Sequence, residues 1–142
     1  MEPVTKTAAA PIVVPNSNAA LWTGRVISTL VVLFLLFDGL MKVIREPHVL
    51  AASADLGYPM NSIAGIGATL LACTLLYASP RTAIAGAVLL TGYLGGAVAS
   101  NIRVGHEFFQ CMFPVIFGVF VWVGIFLRDV QLREMIPLRK RK

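Results

Sequence analysis

Residues 24–44, GRVISTLVVLFLLFDGLMKVI, constrain the fold more than any other stretch of the chain. The run is long and apolar enough to cross a bilayer, whose core of about 30 Å takes about 20 residues rising about 1.5 Å each. It nevertheless carries Asp38 and Lys42. A charged side chain at membrane depth is costly, so such residues face a protein interior or a polar cavity and find a partner there. Four residues apart, these two share one face of a helix within ion-pairing reach. A chain that keeps this pair must build an interior around it.

Three further apolar blocks, 60–79, 82–100 and 108–127, supply the material for that interior. With 13% charged residues and 57% hydrophobic ones, the chain falls well below the quarter of charged residues found in soluble domains. A soluble bundle would need a polar face on each helix, and blocks two to four have almost none. The expectation is an all-α integral membrane four-helix bundle, 24–127, with short connections and antiparallel neighbours. Pro47 ends the first helix and suits the first turn of a short interfacial one over 48–56, which Gly57 caps. Residues 1–23 read as a mobile cytoplasmic tail without the features of a cleavable signal, and Trp22 as an interfacial aromatic. Residues 128–142 read as a basic cytoplasmic tail that lies along the membrane.

Charge sets the expected orientation. Nine Lys and Arg residues fall on the side of the two termini, and three (Lys42, Arg45 and Arg103) on the other, so both termini belong in the cytoplasm. The closing basic run, 139–142, suits an anionic lipid surface rather than nucleic acid.

Small residues recur at helical spacing in the second and third blocks. Ala64, Ala68 and Ala72 form one stripe and Gly92, Gly96 and Ser100 another, both expected to pack against neighbouring helices. Asp38 lies about 21 Å beyond Gly24 along the first helix. Lys42, Ser100, Arg103, His106 and Gln110 fall at that same end, with Tyr93 about two turns deeper. This grouping predicts one polar vestibule, lined by Asp38, Lys42, Tyr93, Arg103, His106 and Gln110 and opening to the outside.

Familiar chemistries are not supported. Cys73 and Cys111 differ in depth by about 15 Å, too far for a disulfide. His48 and His106 lack metal-ligand spacing, and with no His inside a span a haem held between two of them is excluded. Gly65-x-Gly67 follows no strand and is not a nucleotide fingerprint. The residues alone indicate no catalytic group, no metal and no defined cofactor.

Asp38-Gly39-Leu40-Met41-Lys42, Leu56-Gly57-Tyr58-Pro59, Ser79-Pro80-Arg81-Thr82-Ala83 and Tyr93-Leu94-Gly95-Gly96-Ala97, with Arg103 following, resemble the DoxX-like family. These are small bacterial membrane proteins with four predicted spans. The resemblance implies that fold, a place in the bacterial cytoplasmic membrane, and an association with quinone-linked redox and oxidative-stress systems. It transfers no catalytic residue. Two readings follow. One is a non-enzymatic subunit that binds a lipophilic, quinone-type molecule or scaffolds an oxidoreductase. The other is a small transporter or channel-like protein with Asp38 as ion or proton relay, which would require a homo-oligomer. Beside the lipid bilayer, the open partners are a redox enzyme and a second copy of the chain.

Overall fold

A computed structural model describes residues 18–129 and 132. Of the tails expected over 1–23 and 128–142, residues 1–17 and those beyond 129 other than 132 lie outside the described residues, while 18–23 and 128 belong to helices. Within them the chain is all helix: α1 Asn18–Val43, α2 Pro47–Asp55, α3 Ile63–Ala78, α4 Ala83–Arg103 and α5 Phe108–Arg128. By length and composition α1, α4 and α5 can each cross a membrane. α3, at 16 residues, spans about 24 Å and is the short one.

The boundaries follow local chemistry. α1 begins six residues before the expected Gly24, because Asn18 to Thr23 contains neither proline nor glycine to delay it. At its other end Arg45 adopts a left-handed φ of 57°, a place usually held by glycine. Glu46 then caps α2 by accepting the Val49 amide at 3.0 Å, with Pro47 at the first helical position. Gly57 turns the chain at φ 78°. α3 starts three residues later than expected, since Tyr58-Pro59 and the turn closed by the Ser62 amide on the Pro59 carbonyl precede it. α4 runs three residues beyond Ser100 before Gly105 ends it.

Arg45 gives a first prediction. A side chain in the left-handed region costs roughly 1–2 kcal/mol, part of which glycine's larger unfolded-state freedom offsets. Arg45→Gly should therefore raise stability by about 0.5–1 kcal/mol, read as a higher melting temperature in detergent. Arg45→Ala should give no such gain.

α1 packs on α3 and α5, and α4 packs on the same two, so the four close a ring in the order α1, α3, α4, α5. At the end holding the α3–α4 turn and Arg128, the ring is solid. Tyr77 is fully buried there; its hydroxyl donates to the Val121 carbonyl at 2.9 Å and accepts from Ser28 at 3.1 Å. Arg128 donates to the Tyr77 carbonyl at 3.0 Å and lays its guanidinium over the ring at 5.0 Å. Leu70, Leu90, Val121 and Ile125 fill the space around this hub. At the other end, beneath α2, the ring is hollow.

Candidate functional site

α1 presents Asp38 and Lys42 to that hollow. The Lys42 Nζ stands 2.5 Å from both carboxylate oxygens, as a spacing of four on a helix allows. What seats the pair is a close approach between helices. A Cβ on Gly67 would lie 2.6 Å from the Lys42 Cβ and 2.8 Å from the Gly39 carbonyl oxygen. The bare backbone of α3 therefore lets the stem of Lys42 lie flat on it, leaving the Lys42 side chain only 17% exposed.

The cavity has a volume of about 470 Å³, within the range of small-molecule sites. Its polar side chains are the ion pair, Tyr93 on α4, Thr69 on α3, and Ser53, Tyr58 and Ser100 at the α2 end. Its opposite wall is aromatic: Phe34 from α1 meets Phe117 from α5 with ring centroids 4.4 Å apart, and Phe113 joins both at 5.7 and 5.0 Å. Pro114, seven residues into α5, puts its ring into the same wall. It has no amide hydrogen for the bond to Gln110.

The α2 end is roofed. Ser100 donates its hydroxyl proton to the Gly96 carbonyl at 2.9 Å, so in the 2.5 Å contact with Tyr58 it is the tyrosine that donates. Arg103 donates to the Leu56 carbonyl at 2.8 Å and straps the loop after α2 to the end of α4.

Of the six residues expected to line a vestibule, Asp38, Lys42 and Tyr93 come together on the cavity and three do not. Arg103 holds the roof from outside. His106 pairs its Nδ1 with the Asn101 side-chain oxygen at 2.8 Å, and because that amide's nitrogen donates to Ala97, the histidine nitrogen is the donor. Gln110 completes the capping box of α5, accepting the Glu107 amide at 3.0 Å. Both belong to the α4–α5 connection, whose backbone needs engage polar side chains before any cavity can.

The small-residue stripes also sit differently from expectation. A Cβ at Gly92 or Gly96 meets nothing within 4 Å among the described residues, and both glycines line the cavity together with Ser100. They open space instead of closing it. Ala68 is exposed and Ala64 half-buried, so that stripe is not a contact within the chain either. The glycines that do carry close packing, Gly24, Gly39, Gly67, Gly86 and Gly124, lie off both stripes. Cys73 and Cys111 are free thiols. Among the described residues, no group of three His, Cys, Asp or Glu side chains could hold a metal.

Sequence reasoning missed the aromatic wall and the roof. Phe34 precedes Asp38 by four residues, and Phe113 precedes Phe117 by four, so helical spacing from the ion pair was the available signal. Tyr58 carried no signal, because only the folded loop brings it to Ser100.

Long apolar helices around a mostly apolar cavity that holds an ion pair define a helical membrane protein. The DoxX-like family matches the chain over residues 26–124, and the protein belongs to that family. No curated protein and no solved structure matches it.

Proposed function

We propose that the protein is a non-catalytic, four-span subunit of the bacterial cytoplasmic membrane, with both termini in the cytoplasm, whose outward cavity binds a lipophilic small molecule of quinone type. The observation that carries this reading is the cavity: about 470 Å³, mostly apolar, with a paired Asp38–Lys42 and the Tyr93 hydroxyl in its wall. Such a lining suits a ring or tail that wants to leave water and a carbonyl or hydroxyl that wants a donor. In this reading α3 crosses as the fourth span, its 16 residues completed by the turns at either end. The role in redox or oxidative-stress systems would be to hold such a molecule for a partner enzyme. A relay through Asp38 across the single chain is disfavoured by the packing of buried Tyr77, Leu70, Leu90 and Val121 at the end of the ring away from the cavity.

Titration in lipid discs tests the proposal. A decyl-substituted benzoquinone, and separately farnesol, should bind saturably at one molecule per chain for at least one of the two. Tyr93→Phe should weaken that binding about tenfold, the loss of one hydrogen bond to a bound polar group. Absence of saturable binding by either compound would remove the proposal's support.

A further inference from the structure

Contacts tie three of the four seams and the roof. Gly39 and Gly67 close α1 on α3, the Phe34–Phe117 contact closes α1 on α5, the Trp122 indole donates to Thr91 at 2.9 Å and ties α5 to α4 beside a shallow apolar groove, and Tyr58 and Arg103 fasten the roof. Between α3 and α4 no comparable contact is made at the level of Gly92 and Gly96. These helices are pressed together at their turn, where a Cβ on Gly86 would stand 2.2 Å from the Tyr77 amide nitrogen. Toward α2 the glycines of α4 make no such approach. The flank of α4 bearing Thr91, Leu94, Gly95 and Val98 borders α5, so the flank bearing Gly92 and Gly96 is the one toward α3. Both glycines are exposed, both line the cavity, and neither would bring an added Cβ within 4 Å of any described atom. Opposite them on α3 stand Ile66 and the exposed Thr69, which line the same cavity.

The depth of this gap matters. Gly96 lies about 10 Å and Gly92 about 16 Å back from Arg103 along α4, within the apolar span and away from its aqueous end. The gap therefore faces hydrocarbon. Inside, the charges are matched: Lys42 gives protons to both oxygens of Asp38 and keeps one to donate. The Tyr93 hydroxyl has no hydrogen-bond partner among the described residues. Matched charges with spare donors favour a neutral headgroup that accepts hydrogen bonds over an anionic or cationic one. A chamber of about 470 Å³ holds one drug-sized molecule, so a longer amphiphile leaves its tail outside.

Building on the ligand-binding reading above, we propose that a membrane-dissolved amphiphile with a neutral carbonyl or hydroxyl headgroup reaches the cavity sideways from the lipid, between α3 and α4. Its head rests at Tyr93 and Lys42, and its tail lies out through the window framed by Gly92, Gly96, Ile66 and Thr69.

The test is kinetic. The full chain is placed in lipid discs of phosphatidylcholine and phosphatidylglycerol, and the decyl benzoquinone is followed by stopped-flow quenching of tryptophan fluorescence. Gly92→Leu/Gly96→Leu, which fills the window, should slow association and dissociation together by tenfold or more. Tyr93→Phe should speed dissociation and leave association unchanged. If the window-filling variant binds and releases at the parent's rates, or loses affinity at an unchanged association rate, the sideways route is wrong while the ligand-binding reading stands. If the parent binds neither the quinone nor farnesol, both fall. Should the double variant melt early, Gly96→Cys blocked with a bulky maleimide after purification fills the same window in folded protein, with the same outcomes.

Discussion

Gly86→Ala is expected to be among the most damaging single-methyl changes this chain can suffer, and Gly96→Ala one of the most harmless. At Gly86 the added carbon would lie 2.2 Å from the Tyr77 nitrogen and 2.5 Å from its Cα. These are backbone atoms that no rotamer change can withdraw, so α3 and α4 must move apart. Tyr77 would move with them, and with it the contacts to Ser28, Val121 and Arg128. Overpacking a tight interior costs typically 1–3 kcal/mol, and a backbone collision at a buried hub belongs at the upper end, about 3 kcal/mol. At Gly96 the same methyl meets open space, and alanine's better helix propensity should add a few tenths up to about 1 kcal/mol. Thermal unfolding of the two variants in one detergent checks both signs. Equal melting temperatures would contradict the assignment of one glycine to packing and the other to the cavity.

The second large effect concerns the ion pair. Asp38→Asn leaves the Lys42 ammonium facing an amide in a largely apolar wall, and Lys42→Met leaves the carboxylate there without its cation. Each should lower the melting temperature. In the double variant neither charge remains. Methionine keeps the stem that lies on Gly67, so the helix contact survives. The double should melt above the worse of the singles, with a favourable coupling of about 1 kcal/mol or more between the two sites. Strictly additive losses would mean that the two side chains do not act as a pair.

The sequence carried the helices well because their causes are local. Pro47, Gly57 and the apolar blocks act over a few residues, and α2, α4 and α5 fall close to where those signals place them. The ion pair was legible for the same reason, four residues apart on one helix. What could not be read was which small residues touch a neighbour. Gly92 and Gly96 have the spacing of a packing stripe, yet contact depends on how two helices diverge after Gly86, and that is set by Tyr77 on another helix. Gly39 and Gly67 show the converse: neither belongs to a stripe of small residues at spacing four, and together they form the closest seam beside the site. Arg103, His106 and Gln110 were placed at the correct end. Their polar groups were already claimed by the Leu56 carbonyl, Asn101 and the Glu107 amide, demands that only a folded loop creates.

The most direct test of a ligand-binding cavity is mass spectrometry of what leaves the membrane with the protein. The full chain and Ala97→Phe, which places a ring in the cavity wall, are purified from the same membranes in mild detergent and their organic extracts compared. A neutral-headed lipophilic compound is expected at close to one per chain in the parent, depleted at least tenfold in Ala97→Phe of unchanged melting temperature. Identical extracts from the two proteins, or an extract holding only bulk phospholipid in both, would contradict it.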